Sequence, residues 1–248
     1  MIAEGEHQLQ DFKTRIDDSR KIARTLVAFA NADGGRLLIG VKDNGTVSGV
    51  RVDEELHMVE AASELYCQPA VEFQSQVWKA DIRSVLEVVV EPSRQRPHRC
   101  EDEEGKWHAY LRLEDENIRV NAVLSRCWDH RFRMDRPPFE YDRNVGRLFR
   151  SWRKGKLLGF RQIMRTVKRP SNVTEDLLAL LVGWGIVEMV LGDRNFMYGL
   201  ADEQALENLE TKGPALFDLS VLPPSPKVRR LKPRGPKAVD PRALPPNV

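Results

Sequence analysis

Residues 21–50, KIARTLVAFANADGGRLLIGVKDNGTVSGV, set a helical pattern, a double glycine, an apolar strand and an Asp-Asn-Gly turn in direct succession. Ile22, Leu26, Phe29 and Ala30 fall on one helical face, with Asp18 or Ser19 placed to cap the first turn. Gly34 suits the left-handed position that ends such a helix. The period then changes: residues 36–41 read as a short strand, and Asn44-Gly45 as a two-residue turn into residues 46–50. The paired glycines let a buried helix reverse directly into a buried strand.

Working outward, a second helix is predicted over 54–66 through Leu56, Val59, Ala62 and Leu65. Val71, Phe73, Ser75 and Val77 alternate with other polar residues, 85–90 is dense in β-branched residues, and 109–113 with 117–121 read as a closing hairpin. These elements make an α+β domain, a mixed sheet with packed helices, over residues 1–125. Arg136-Pro137-Pro138 breaks any regular pattern and marks a linker over 126–140. Val145, Leu148, Phe149 and Trp152 then form a helical stripe, 160–167 a second, and 173–184 a third with Leu177, Leu180 and Leu181. Strand patterns at 186–191 and 196–200 flank Gly192-Asp193-Arg194-Asn195. Three short helices followed by a β-hairpin are the order of a winged helix-turn-helix, expected over 141–201. Residues 202–248 read as a disordered basic tail, since eight of the fifteen prolines lie beyond residue 222.

At 248 residues, 41% hydrophobic and 31% charged, the chain suffices for a medium domain plus a smaller one. No run approaches the roughly 18 apolar residues of a membrane span. The opening MIAEGEHQLQ is too polar for a secretory leader, so the expected location is the cytoplasm. Cys67, Cys100 and Cys127 lack zinc spacing, and the five histidines lack any metal-binding pattern. Neither a Gly-x-x-x-x-Gly-Lys-Ser/Thr loop nor a Gly-x-Gly-x-x-Gly turn is present. The net charge of +2 does not announce a polyanion partner, but the positive field is local: Arg143 to Arg169 holds ten Lys and Arg and no Asp or Glu, which reads as a phosphate-gripping surface or as a solvated or protein-docking face. Arg147, Arg150, Arg153, Lys154, Lys156, Arg161, Arg165, Lys168 and Arg169 are candidate phosphate contacts, joined by Arg229 and Arg230 of the tail. The third helix begins with Ser171, Asn172 and Thr174 but also carries Glu175 and Asp176, so the pattern favours backbone grip over base reading.

LQDFKTR, the stretch 22–50, RPHR and AYLRLEDENIR together resemble the Schlafen-type AlbA-like domain over residues 4–123. The shared pattern is Asp11-Phe12-Lys13, Ala28 to Gly35, Ile39-Gly40-Val41, Asp43-Asn44-Gly45 and Tyr110-Leu111-Arg112, with Asp11 where the family usually has Glu. The resemblance implies nucleic-acid binding. In some animal members it implies RNA cleavage by a three-carboxylate site with Mg²⁺ or Mn²⁺, for which the matching residues are Glu6, Asp11 and Asp43. A label of ATP binding attached to the family would rest on the resemblance alone.

Local readings compete with each of these. Asp43 serves equally as support for its Asn-Gly turn, Asp11 as a local pair and Glu6 as a solvated acid. Asn31, Gly34 and Gly35, with Lys13 and Arg36 nearby, read either as an anion-cradling turn or as a helix cap with close helix–strand packing. His98, beside Arg96 and Arg99, is a minor nucleic-acid candidate. The functional expectation is a DNA- or RNA-binding protein, regulatory or ribonucleoprotein-associated. The alternatives are a metal-dependent endoribonuclease and a protein-docking adaptor, with monomer and homodimer both open.

Overall fold

The computed structural model describes residues 1–129, 134–135, 137–193, 195–217 and 228–231. After strand β1 (Gln10–Lys13), helix α1 (Ser19–Asn31) is fixed at both ends by its own sequence. Asp18 Oδ1 accepts from the Arg20 N–H at its start. At its end the Gly34 N–H donates to the Phe29 carbonyl, with Gly34 at φ 78°. A Cβ on Gly34 would lie 2.7 Å from the Val90 carbonyl oxygen, and one on Gly35 2.5 Å from the Phe29 ring. The glycine pair thus serves both the reversal and the close approach of β2 (Gly35–Ile39) to its neighbours.

Helix α2 (Val52–Tyr66), strand β3 (Cys67–Gln68) and the hairpin of β4 (Gln74–Ala80) and β5 (Arg83–Val90) follow. The main sheet has the order β1-β2-β5-β4, with β1 parallel to β2 and the other pairs antiparallel. Alternation along the strands sorts the side chains. Leu37, Ile39, Leu86 and Val88 pack with α1 and α2, while Phe12, Leu38 and Val85 fill the opposite face. Strands β6 (Arg99–Glu101) and β7 (Trp107–His108) extend β3 into a small sheet, and β8 (Tyr110–Leu113) with β9 (Glu116–Arg119) forms the closing hairpin.

Two expected strands are shorter than the sequence suggests. The one predicted from Val71 begins at Gln74, because the Val71 N–H and carbonyl are both taken by the Ser63 hydroxyl, at 3.0 and 2.7 Å. Residues 46–50 contribute only a bridge from Val47 to Val41, since the Ser48 and Gly49 N–H groups both turn to the Gly40 carbonyl.

The second half runs α3 (Ala122–Trp128), α4 (Arg143–Arg153), β10 (Leu158–Gly159), α5 (Phe160–Val167), α6 (Ser171–Gly183), β11 (Val187–Leu191), β12 (Phe196–Leu200), α7 (Glu203–Lys212) and β13 (Val228–Arg230). Its sheet has the order β10-β12-β11-β13. Trp128, Leu148, Phe149, Trp152, Ile163, Leu178, Leu181 and Tyr198 are buried in its core. That core also contains Ala32, Ala109 and Leu111, so it continues into the first half. Helix α3 spans the start of the segment expected as a linker and packs on α6. Within the segment read as tail, 203–212 is helical and Val228–Arg230 pairs in parallel with β11. Tail positions 218–227 and 232–248 lie outside the described residues. Among the described residues no helix is long and apolar enough to cross a membrane.

Replacing Gly34 by Ala would add a Cβ in the left-handed region and against a carbonyl oxygen. A loss of about 2 kcal/mol or more is expected from these two effects together, read as a lowered urea midpoint at unchanged m-value.

Candidate nucleic-acid interface

The motifs of the first half meet at Arg112. Its guanidinium, 1% exposed, donates to Asp11 Oδ1 at 3.1 Å, to the Gln10 carbonyl at 3.2 Å, to the His7 carbonyl at 3.3 Å and to Asn117 Oδ1 at 3.1 Å. It also lies 5.3 Å from the centre of the Phe29 ring. The other carboxylate oxygen of Asp11 takes Lys13 Nζ at 2.7 Å. This arrangement joins β1, α1 and the β8–β9 hairpin.

The three acids expected to hold a metal do not form a common site. Glu6 and Asp11 are neighbours. Burial raises the Glu6 pKa, and the negative charge and side-chain hydrogen bond of Asp11 raise it further, against the opposing Phe12 N–H at 2.9 Å. Asp11, however, is already paired with Arg112 and Lys13, and Asp43 is exposed in the turn beyond β2. Among the described residues no three His, Cys, Asp or Glu side chains are grouped to hold a metal. These residues do not fit a divalent-metal centre.

The glycine turn is likewise occupied from within. Asn31 is fully buried; its Nδ2 donates to the carbonyls of His98 and Tyr110, both at 2.9 Å, and its Oδ1 accepts from the His98 N–H at 2.8 Å. The Gly34 N–H serves the helix end and the Arg36 N–H donates to Leu9. His98 is itself interior, at 3% exposed. Its Nδ1 faces the Pro69 carbonyl at 2.9 Å, which can only accept, so Nδ1 carries the proton and Nε2 accepts from the Ser93 hydroxyl at 2.7 Å. Burial first, and then Arg96, lower the His98 pKa. The three cysteines are free and buried, with the Cys127 thiol pushed up to about 12 and that of Cys100 to about 11 by burial.

The expected phosphate contacts divide into two sets. Lys13 pairs with Asp11, and Arg36 lies between Glu4 at 3.7 Å and Glu87 at 3.9 Å. Arg153 pairs with Glu210 at 2.5 Å, and Arg169 with Asp142 at 3.1 Å. Arg229 forms a two-pronged bond to Glu188, and Arg230 reaches Glu116 at 2.7 Å and Glu114 at 3.2 Å. These six face carboxylates, which competes with phosphate contact. By contrast, Arg147, Arg150, Lys154, Lys156, Arg161, Arg165 and Lys168 are exposed and make no ion pair with any described residue, and Arg143 behaves likewise.

The third helix of the second half, α6, is covered. Positions 177–182 are all buried, and α3 lies along it, with Arg126 donating to the Asn172 carbonyl at 2.7 Å and to Asp176 at 2.8 Å while pairing with Glu175 at 2.8 Å. Glu175 and Asp176 are therefore explained as docking groups for α3. The acids of α7 that neutralise Arg153 were missed in the tail segment. Their signal was Asp202 as a cap, whose Oδ1 accepts from Ala205, with Leu206 and Leu209 on the buried side.

Residues 6–121 match the model of the Schlafen, AlbA_2 family. That match is compatible with nucleic-acid binding. No curated protein matches the sequence. Among solved structures, the DIP2311 protein from Corynebacterium diphtheriae is similar at 15% identity and a TM-score of 0.37, over 84% of this chain and 43% of that one. The chain thus spans less than half the length of that protein.

Replacing Arg112 by Met leaves the buried Asp11 carboxylate with Lys13 alone and is expected to cost about 3 kcal/mol. The double change with Asp11→Asn should cost less than the sum of the single changes in urea denaturation, because the carboxylate charge is then gone. The neutral His98 predicts an acid-side instability. With its folded pKa below the unfolded value of about 6.5, its contribution is complete above that value and is lost as pH falls through the folded pKa. The urea midpoint should drop from pH 7.5 to 5.5, and less so in His98→Gln. Glu6 and Glu55, with raised pKa values, act in the opposite direction as pH falls toward 4.5.

Proposed function

We propose that the chain is a nucleic-acid-binding protein that grips phosphates through the exposed faces of α4 and α5, within a winged-helix-like module spanning 141–201. One observation carries this reading: the unpaired cations lie in two helical stripes. Arg143, Arg147, Arg150 and Lys154 recur along α4 at intervals of four, three and four residues, opposite the buried Val145, Leu148, Phe149 and Trp152. Arg161 and Arg165 do the same along α5, opposite Ile163 and Val167, and Lys168 follows as its left-handed C-cap. Like charges three or four residues apart each destabilise a helix by about 0.2–0.5 kcal/mol. A polyanion would turn that repulsion into attraction.

The element order α4, β10, α5, α6 and the β11–β12 hairpin supports the winged-helix reading, and the match of residues 6–121 to the Schlafen, AlbA_2 family supports nucleic acid as the partner. With α6 covered by α3, contact through α4 and α5 is with phosphates and does not read sequence in a major groove.

Fluorescence anisotropy with labelled oligonucleotides over a salt series tests the proposal. Each phosphate contact contributes about 0.7–0.9 to the slope of log affinity against log salt. Arg147→Glu, Arg150→Glu and Arg165→Glu combined should flatten that slope by about two or more units and weaken binding at every salt concentration. Arg153→Ala and Arg169→Ala, already engaged by carboxylates, should change affinity by less than about twofold. Undetectable binding of both duplex and single strand at low salt would refute the proposal.

A further inference from the structure

An open groove of about 930 Å³ lies where the end of the first half meets α5 and β12. Phe160, Phe196 and Met197 line it as half-buried apolar groups. Tyr198 closes its inner side, buried, with its hydroxyl accepting from Asn121 Nδ2 at 3.0 Å. Arg119 and Arg161 are exposed in the same lining. The Arg119 guanidinium is 2.9 Å from His108 Nδ1, and Arg161 makes no ion pair with a described residue. The one acid in the lining, Glu175, is held by Arg126 and by the Ser171 hydroxyl.

We propose that this groove seats unpaired bases of a single-stranded nucleic acid, with the adjoining phosphates following Arg161, Arg165 and Lys168 along α5. The inference rests on the phosphate-grip reading and specifies its substrate. Duplex DNA or RNA presents phosphates outward and keeps its base faces stacked inside, so an aromatic lining offers it little. A single strand exposes those faces, and aromatic side chains beside cations stack them without regard to sequence. The volume is within the range of ligand sites, about 300–1,000 Å³. Arg161 belongs to both the groove and the α5 stripe, whose step of four residues to Arg165 advances about 6 Å along the helix axis, with Lys168 following at the left-handed C-cap. One backbone can therefore run from the groove onto the stripe. The covered α6 removes the usual route to bases in a duplex, whereas this groove joins the cations through Arg161.

The test compares oligo(U) and oligo(dT) of about 12 nucleotides with a duplex of equal length, at one low salt concentration, on the full chain. Phe160→Leu and Phe196→Leu keep an apolar side chain but remove the ring. Each should weaken single-strand binding at least about fivefold and leave duplex binding within about twofold, with the thermal melt confirming the fold. Unchanged single-strand affinity, or equal weakening for both ligands, would overturn the groove assignment. So would a wild-type chain that binds duplex but not single strand, which leaves the phosphate-grip reading standing. Binding of neither ligand refutes that reading itself. A second measurement needs no variant: photocross-linking with a 5-iodouridine oligonucleotide should map to Phe160 or Phe196, and cross-links confined to other surfaces would overturn the proposal.

Discussion

Arg112 puts a full positive charge at the point where the first strand, the first helix and the closing hairpin meet, and Asp11 supplies the compensating carboxylate from 101 residues away in sequence. Isolated, either group would be costly to bury; together, with two backbone carbonyls and Asn117 Oδ1 as further acceptors, they specify how β1 and β8 sit relative to one another. The double glycine performs the matching task on the helix side, because a side chain at Gly35 would occupy the space of the Phe29 ring that lies by the guanidinium. Asn31 then ties the end of α1 to the His98 and Tyr110 backbones. The motif residues thus act as the internal frame of the domain.

The same chain distributes its remaining charge according to which acids lie within reach. Helix α7 brings Glu210 to Arg153, β11 presents Glu188 to Arg229, and the β8–β9 turn offers Glu114 and Glu116 to Arg230. The outer faces of α4 and α5 have no such neighbours among the described residues. A nearly neutral composition is therefore compatible with a strong local field, because neutralisation here is a matter of placement and not of totals.

The junction at residues 18–39 was legible because each of its signals is local: the Asp18 cap, the 3.6-residue apolar period and the glycine reversal. The apolar stripes of α4, α5 and α6 were legible for the same reason. The Arg112 pairing was not, since nothing near either residue in sequence indicates its distant partner. The failure of the three-acid site follows from register: Asp11 stands opposite Leu37 within β2, whereas Asp43 belongs to the turn after Val41. Helix α7 had a readable cap and period but lay in a segment read from its prolines, all but one of which come after residue 222. Strand β13 is three residues long and owes its conformation to β11, so no local pattern announces it.

Because Ala32, Ala109 and Leu111 are buried in the same cluster as Trp128 and Trp152, no layer of water separates the two halves at that point. The halves accordingly have no slack between them there. A polymer clamped on α5 would be held at a constant bearing to the outermost strand of the other sheet, where Trp78 stands 42% exposed and the neighbouring Ile82 is 99% exposed.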